Sequence, residues 1–566
     1  MQPLRRYLVH QTALGTISRQ EEVSMIPPFL LDIQPTDVCL DMCASPGSKT
    51  AQMLVALGRH KKVITPNESS PFPFNYLSEG LIMANELDTK RANMLVHQCK
   101  RMRLLFPFAL FSNHDARYFP DVTLAGGEGE MRFDKILCDV VCSGDGTIRK
   151  APFIFKVWSP REALQLQCIQ VQIALRACHL LKVGGRLVYS TCSLNPIENE
   201  AVVCQIARRT KGAMRLVDAR SILPDLLCDP GMTNWKVTDP KGNIIDTPSE
   251  VFHSALFPPS VTGTEDIPAD FDLTKCMRLL PHHCNGGGFF IAVFDKVSEF
   301  RIAPKESAEL EASEKAKQEK KNEANRKKQL QKRGRAAEGE TTPKVSADSE
   351  AVVKPKKSPV IPPQFLPAAE PMIRCLKEFY QLGDSFPVRN LLCRAGQGER
   401  TLSVGLNTIA SLVSNTALRV LQHKGDNLII VSAGLRILAY ENLDKGWRIA
   451  SEAAPLFPVL LKGSSRLLRV SRDIAETLMQ GGKLKDILMD DLPSHLRESV
   501  EALSVGTVML EIECPSGDTQ LTVALRARTR LQLLVDHEDI DGLRLRLGLP
   551  IADTPTAEAD ENETAQ

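Results

Sequence analysis

The chain has 566 residues and 43% hydrophobic content, enough to bury a large core and too long for one ordinary domain. Its formal net charge of +2 excludes a protein that binds polyanions through overall charge, so any affinity for nucleic acid must come from local clusters of Lys and Arg. Fifteen cysteines, with neither a secretory signal nor disulfide-like spacing, predict free thiols in a reducing compartment. The sequence contains no run of eighteen apolar residues, so it predicts no membrane span.

Residues 37 to 295 alternate short apolar runs with longer amphipathic ones, which is typical of a parallel α/β sheet. The predicted strands are DVCLDM (37–42), GLIMANEL (80–87), PFALFS (107–112), DKILCDV (134–140) and GRLVYSTC (185–192). The predicted crossover helices are GSKTAQMLVALG (47–58), TKRANMLVHQCKRM (89–102) and REALQLQCIQVQIALRACHLL (161–181). A further helix is expected to start at Pro196, and GGGFFIAVF (286–294) is expected to close the sheet as an antiparallel strand.

The composition changes after residue 302. Residues 303–360 are rich in Lys, Glu, Ala and Gln and predict a charged linker, either disordered or a lone helix. Residues 361–550 predict a β-barrel-like module with helices, containing the strand-like NLIIVSAGLRILAY (427–440) and a hairpin over 506–535 that turns at 515–518. Residues 551–566 form an acidic, polar tail that is expected to be unfolded.

In a doubly wound sheet, ligands bind outside the carboxyl ends of the strands. After the first strand, Gly47 with the small Ala44 and Ser45 would let backbone amides approach a ligand, and the helix that follows would present its N-terminus to negative charge. An ordinary strand-to-helix turn explains this loop equally well. The spacing of a GxxxxGK[ST] phosphate loop is absent, which disfavours hydrolysis of a nucleoside triphosphate.

Acidic residues follow the second and third predicted strands. Glu86 is placed to bind the two hydroxyls of a ribose, and Asp115 is placed to accept from an exocyclic amine such as that of adenine. Taken alone, either carboxylate is equally consistent with a solvated cap. Three strand ends in the right order favour a site for an adenosine moiety.

The fourth and fifth predicted strands end at thiols. Asp139 and Cys142 follow the fourth strand, and Cys192 ends the fifth. The spacing of Cys138 and Cys142, without a CxxC or His pair, disfavours zinc. Cys39 and Cys138 are expected to be buried as small hydrophobes. Cys142 and Cys192 stand beside Gly, Ser, Thr and Pro in loops, where a thiol is reachable and helix dipoles favour its thiolate.

These segments resemble the Sun-type RNA cytosine-5 methyltransferases, which use S-adenosylmethionine. The resemblance is carried by DMCASPGSKT (41–50), similar to the methyl-donor loop, CDVVCSGDGT (138–147), similar to the Asp-x-Pro-Cys motif, YSTCSLNPIENEAV (189–202), similar to the Thr-Cys motif, and LLPHHCNGGGFFIAVF (279–294), similar to the closing hairpin. It is close over residues 12–300, weaker beyond 360, and strongest to the eukaryotic tRNA methyltransferase subgroup called Misu.

The resemblance implies a Rossmann-like methyltransferase domain over residues 1–302, followed by the linker and a small β-rich module of RNA-binding type. It implies that Cys192 adds to carbon 6 of a cytosine flipped into the cleft, that Cys142 serves product release, and that Asp139 hydrogen-bonds the ring nitrogen. RNA, in this subgroup tRNA, is the implied substrate, and no metal is implied. The implied contacts of S-adenosylmethionine are Cys43, Ala44, Ser45, Pro46, Gly47, Ser48, Lys49, Glu86, Asp115 and Asp139.

The chain departs from the family pattern in two places. Val141 stands where the family has Pro before Cys142, which predicts a loosened loop and slower release. The subgroup has a further amino-terminal RNA-binding region, so either this sequence is truncated or the later module captures RNA. Two alternatives follow: a noncatalytic RNA-binding scaffold, and a DNA cytosine-5 methyltransferase, which would use Cys142 and would not require Cys192.

The linker contains the basic run RKKQLQKRGR (326–335). Such a run is consistent with a nuclear import signal or an electrostatic RNA tether, and equally with a solvated linker face. The expected location is the nucleus, with the nucleolus and the cytoplasm left open.

Overall fold

The structure is a computed structural model. It describes residues 2–13, 17–59, 80–102, 106–123, 129–302, 364–383, 386–395, 409–423, 428–442, 446–457, 461, 463–480, 485–514, 517, 519–535 and 537–549. The predicted linker and the acidic tail therefore lie outside the described residues. Within these ranges, no helix is long and apolar enough to cross a membrane.

Fourteen α-helices occur in the described residues. They are α1 (Gln2–Ala13), α2 (Ile26–Leu30), α3 (Ser48–Arg59), α4 (Thr89–Arg101), α5 (Ile154–Val157), α6 (Pro160–Leu180), α7 (Glu200–Thr210), α8 (Pro259–Thr262), α9 (Pro281–Cys284), α10 (Glu370–Tyr380), α11 (Asn415–His423), α12 (Arg472–Gln480), α13 (Ser494–Glu501) and α14 (His537–Arg546).

The first thirteen strands belong to the amino-terminal half of the chain. They are β1 (Val38–Asp41), β2 (Leu81–Asn85), β3 (Ala109–Ser112), β4 (Val122–Thr123), β5 (Glu130–Met131), β6 (Phe133–Asp139), β7 (Leu181–Thr191), β8 (Met214–Val217), β9 (Asp229–Pro230), β10 (Val237–Thr238), β11 (Ile244–Ile245), β12 (Met277–Leu279) and β13 (Phe289–Lys296).

The parallel part of the main sheet has the order β3-β2-β1-β6-β7. All five predicted strands and all three predicted crossover helices are confirmed. Successive residues of each strand pack on opposite faces of the sheet, as Cys39 and Leu40 do on β1, so both faces are buried under helices. Cys39 and Cys138 are fully buried, as predicted.

The sheet continues antiparallel beyond β7. The predicted closing strand is confirmed as β13, which pairs with β7 and with its own hairpin partner β12. The helix expected at Pro196 begins instead at Glu200. Residues 196–199 form a turn, in which Asn199 has the non-helical angles φ −111° and ψ −94°, so the chain cannot enter the helix earlier.

Eleven strands follow in the carboxyl-terminal half. They are β14 (Gln364–Pro367), β15 (Leu391–Ala395), β16 (Ile409–Leu412), β17 (Ile430–Ala433), β18 (Leu435–Asn442), β19 (Gly446–Ile449), β20 (Leu467–Val470), β21 (Asp486–Leu488), β22 (Gly506–Glu513), β23 (Thr519–Arg526) and β24 (Arg530–Leu533). They form one sheet of order β14-β15-β16-β18-β19 and another of order β20-β22-β23-β24-β21, with β17 in neither. The predicted hairpin is confirmed, since Glu513 pairs with Thr519 across the turn.

The strand-like character predicted for residues 427–440 is confirmed, but the run forms two strands that belong to two different sheets. Gly434 has a positive φ of 60°, which turns the chain between β17 and β18. Strand β18 joins the carboxyl-terminal sheet, whereas β17 pairs antiparallel with β3 and becomes the edge strand of the main sheet. A segment from the second half of the chain thus completes the sheet of the first half.

Candidate active site

The carboxyl ends of β3, β2, β1, β6 and β7 meet along one edge of the main sheet. Asp115, Glu86, Cys43, Asp139 and Cys192 each lie at or just beyond one of these strand ends. Because the five strands are consecutive neighbours, the sheet brings these candidate residues to one edge, as the sequence predicted.

The loop between β1 and α3 lies close to the neighbouring strand and helix. The Ala44 amide donates to the Asn85 carbonyl at 2.8 Å. Gly47 has a φ of 112°, and a Cβ at this position would lie 2.8 Å from a methyl carbon of Leu95 on α4. Only glycine satisfies both the backbone angle and the packing, so the glycine turn predicted from the sequence is structurally required.

Asp41 lies immediately before this loop and was missed by the sequence analysis. It is 1% exposed, and its Oδ2 accepts a hydrogen bond from Thr50 Oγ1 at 2.7 Å. Its Oδ1 is buried and has no hydrogen-bond partner among the described residues. Burial raises the pKa of Asp41 to about 7. An acid at the end of a buried strand, directly before a glycine loop, was the signal that could have identified it.

The two carboxylates proposed for the adenosine moiety already have protein partners. Glu86 is 5% exposed, accepts from the Asp88 amide at 3.1 Å and lies 3.7 Å from Arg91. Asp115 accepts from the side chain of Arg117 at 2.7 Å. A ligand would therefore share the acceptor capacity of Asp115 with Arg117, whereas Glu86 is bound more loosely.

Lys49 reaches from the start of α3 to the end of the neighbouring strand β6. Its Nζ lies 2.7 Å from Asp139 Oδ2 and donates to Ser24 Oγ at 2.8 Å. The other oxygen of Asp139 accepts from Ser190 Oγ at 2.8 Å. The Lys49 side chain is only 13% exposed, so this ion pair is weakly screened by solvent. Lys49 and Asp139, both predicted to contact the methyl donor, are therefore paired with each other and together line the cavity described below.

The two candidate thiols lie in contact. Cys142 Sγ and Cys192 Sγ are 3.2 Å apart. A hydrogen bond from the Cys142 thiol lowers the pKa of Cys192, and the same bond raises the pKa of Cys142 well above its usual range. Burial raises the pKa of Cys43, which therefore stays a thiol. Of these three strand-end cysteines, Cys192 is the one that the surroundings favour as a thiolate nucleophile.

The loop that carries Cys142 is held on both sides of the thiol. The Val141 carbonyl accepts from Gln170 Nε2 at 2.9 Å, and the Ser143 amide donates to Glu198 Oε2 at 2.9 Å. The Val141 side chain itself is 51% exposed. The loosened loop expected from Val141 stays a prediction, and the structure adds that these two hydrogen bonds hold the backbone on either side of Cys142.

A cavity of about 540 Å³ opens between the donor loop and the ends of β6 and β7. Its lining contains Asp41, Lys49, Asp139 and Cys192. The donor-loop residues Cys43, Ala44, Ser45, Pro46 and Ser48 also line it, together with residues 19–21, 23–24 and 285–289. Glu86, Asp115 and Cys142 are not part of this lining. A volume of this size is typical of a site for a small molecule. Within the part of the chain that the structure describes, no group of three or more His, Cys, Asp or Glu side chains could hold a metal ion.

Two family models match the chain. Residues 74–295 match the model described as 16S rRNA methyltransferase RsmB/F, and residues 362–461 match the model described as NSUN2 Pre-PUA domain. The first match contains the ends of β2, β3, β6 and β7, and the second contains β14 to β19.

Three curated relatives are similar to the chain. It is 35% identical to the tRNA (cytosine(34)-C(5))-methyltransferase of Drosophila melanogaster, an alignment that covers 100% of this chain and 73% of the relative. It is 33% identical to the multisite-specific tRNA:(cytosine-C(5))-methyltransferase of Saccharomyces cerevisiae, over 98% of this chain and 76% of the relative. It is 43% identical to the multisite-specific tRNA:(cytosine-C(5))-methyltransferase trm4b of Schizosaccharomyces pombe, over 52% of this chain and 44% of the relative.

Proposed function

The chain belongs to the RsmB/F family of RNA methyltransferases, and from this premise we propose that it transfers a methyl group from S-adenosylmethionine to carbon 5 of cytosine in tRNA. The observation that carries the proposal is the pair of thiols 3.2 Å apart, in which the pKa of Cys192 is lowered by the Cys142 thiol. The proposed reaction uses neither a metal ion nor a membrane surface.

The residues of the cleft fit S-adenosylmethionine. The cavity has room for a small ligand, and the buried Asp41 Oδ1, which has no partner among the described residues, suits a cationic group such as an ammonium. Residues 43–48 would hold the methionine part, and Glu86 and Asp115 the adenosine part. When bound, the cofactor supplies an electrophilic methyl group on a sulfonium sulfur.

The first chemical step belongs to Cys192. Its thiolate adds to carbon 6 of the flipped cytosine, which forms an S–C6 bond and makes carbon 5 electron-rich enough to take up the methyl group. Negative charge develops at the ring nitrogen during this addition. Asp139, which shares a Lys49 proton across 2.7 Å, hydrogen-bonds that nitrogen through the shared proton and stabilises the charge.

The second step belongs to Cys142. Once Cys192 is bonded to carbon 6, it no longer accepts a hydrogen bond from Cys142, which removes the largest cause of the raised pKa of Cys142. We assign Cys142, which lies 3.2 Å from Cys192, as the base that removes the proton from carbon 5. The electron pair released from that C–H bond restores the ring double bond, the S–C6 bond breaks, and Cys192 leaves as a thiolate.

The full chain, incubated with labelled S-adenosylmethionine and either tRNA or duplex DNA, tests the reaction. We expect label in 5-methylcytosine of tRNA and none in DNA, because the relatives that match nearly the whole chain are tRNA cytosine-C5-methyltransferases. Labelled DNA would support the DNA-type alternative, and no label in either substrate, with RNA still bound, would support a scaffold.

We also propose that the basic run 326–335 directs the protein to the nucleus, although this run lies outside the described residues. Replacing its Lys and Arg residues by Gln should lower the ratio of nuclear to cytoplasmic protein, because import receptors read clustered positive charge. Imaging of the tagged full chain and the variant measures that ratio. A control variant, in which the basic residues of 315–321 are replaced by Gln, should leave the ratio unchanged. An unchanged ratio in the 326–335 variant would contradict an import role.

A further inference from the structure

Glu198 is a carboxylate with no exposed surface, and no step described above uses it. It belongs to the Cys192 loop (residues 192–199) and is hydrogen-bonded both to Ser193 within that loop and to Ser143 of the Cys142 loop (residues 140–147). A buried carboxylate is retained only where hydrogen bonds or opposite charges stabilise it. Its partners therefore show what it holds in place.

Four hydrogen bonds from three residues saturate the Glu198 carboxylate. Oε2 accepts from the Ser143 amide at 2.9 Å and from Gln170 Nε2 at 3.0 Å. Oε1 accepts from Ser193 Oγ at 2.8 Å and also from Ser143 Oγ. The backbone carbonyl of Glu198 accepts from the hydroxyl of Tyr189 at 2.6 Å, and this bond ties the backbone of Glu198 to strand β7.

Ser143 and Ser193 directly follow the two thiols in the sequence. One carboxylate is thus bonded to the residue after Cys142 and to the residue after Cys192. Because consecutive Cα atoms are about 3.8 Å apart, a shift of either serine moves the adjacent thiol with it. Gln170 adds a restraint on the far side of Cys142, since the same Nε2 also donates to the Val141 carbonyl at 2.9 Å.

We propose that Glu198 is a positioning residue that holds the Cys142 and Cys192 loops at the spacing at which Cys142 can serve Cys192. This proposal rests on the proposed function for its catalytic meaning. Glu198 touches neither the cytosine nor the cofactor in this scheme, and it acts through the two serines. Loss of the carboxylate leaves the Ser143 amide without its buried acceptor and removes one of the two acceptors of Gln170 Nε2, so the Cys142 loop is the part expected to move.

Two substitutions separate position from charge. Glu198→Ala removes all four acceptor bonds. Glu198→Gln keeps the length of the side chain: its oxygen can accept from the Ser143 amide and Gln170, and its amino group can donate to the two serine hydroxyls, which can also accept. Glu200→Ala is the matched control, because Glu200 is equally buried and is bonded instead to Arg278 and the Met232 amide.

The first measurement is the partition between trapped adduct and released product in the full chain with tRNA. We expect Glu198→Ala to raise the ratio of denaturation-resistant protein-RNA adduct to released methylated RNA by about tenfold or more, because release depends on Cys142. Glu198→Gln should stay within about threefold of the wild-type ratio. Glu200→Ala should lower the melting temperature without changing the ratio. A purely structural role of Glu198 would lower both steps together and leave the ratio unchanged, which would overturn the proposal.

The second measurement does not depend on methyl transfer. Diamide oxidises two nearby thiols to a disulfide and is itself reduced, so the rate of the Cys142–Cys192 bond, followed by peptide mapping, reports their spacing. We expect Glu198→Ala to slow this reaction and Glu198→Gln to preserve it, whereas an unchanged rate in Glu198→Ala would contradict the proposal. If Glu198→Ala does not fold, Gln170→Met replaces it, and this variant must also form the Cys142–Cys192 disulfide more slowly than the wild type, by a smaller factor. A wild-type chain that forms the disulfide but never methylates RNA would refute the proposed function alone.

Discussion

Cys192→Ala abolishes methyl transfer to RNA, together with any covalent protein-RNA adduct. We expect the rate to fall by a factor on the order of 10⁴ or more, as for loss of a nucleophile, because carbon 5 of cytosine cannot attack the methyl group until a thiolate has added to carbon 6. Affinity for S-adenosylmethionine should change little, since residues 43–48 and Asp41 are untouched. Single-turnover transfer and equilibrium binding of the cofactor measure the two quantities separately.

A pair of outcomes would reverse the assignment of the nucleophile. If an adduct persists in Cys192→Ala and disappears in Cys142→Ala, then Cys142 makes the bond to carbon 6. Cys204→Ala is a useful control, because Cys204 is buried on α7 and lines no part of the cavity. It should keep wild-type transfer.

Cys142→Ala should methylate RNA once and then stall, with turnover lowered by about 10²-fold or more, because the base that removes the proton from carbon 5 is gone. A denaturation-resistant adduct should accumulate, and it should vanish in the double variant with Cys192→Ala. The structure adds a second effect. The Cys142 thiol is the main cause of the lowered pKa of Cys192, so its removal raises that pKa and shifts adduct formation to higher pH.

Cys142→Ser separates these two effects. Its hydroxyl can still donate to the Cys192 thiolate, so the pH dependence of adduct formation should return toward that of the wild type, while release stays slow because a hydroxyl is a poor base at neutral pH. The rate of adduct formation, measured against pH in single turnover, checks the first statement. Normal turnover without adduct in either variant would refute the release role of Cys142.

The strands and crossover helices could be predicted because their signals are local. A buried parallel strand flanked by an amphipathic helix shows in a dozen residues, and the strand ends then place Glu86, Asp115, Asp139 and Cys192 on one edge by topology alone. The turn at Gly47 could be predicted from the glycine and its small neighbours Ala44 and Ser45, whereas the lack of room for a side chain beside Leu95 shows only in the structure. Their roles toward ligands remain predictions.

The other features depend on contacts between distant segments. Nothing in the donor loop shows that Lys49 pairs with Asp139, 90 residues later, or that Glu198 bonds the residue after each thiol. The helix start at Pro196 was misread because a proline at a first helical position and a proline in a preceding turn have the same sequence signature. The sequence also gives no sign that residues 427–440 are divided between two sheets, because the segments that form β17 and β18 are both apolar.

Strand β17 has a consequence for synthesis on the ribosome. The edge of β3 that it covers emerges more than 300 residues before β17 does. At about 5–20 residues per second, that edge waits some tens of seconds with its backbone groups unpaired, which is the kind of surface that promotes aggregation. A chain that ends within residues 303–360 lacks β17, so the edge of β3 stays unpaired. Truncation before residue 430 is therefore expected to yield insoluble protein even though every residue of the cleft is present.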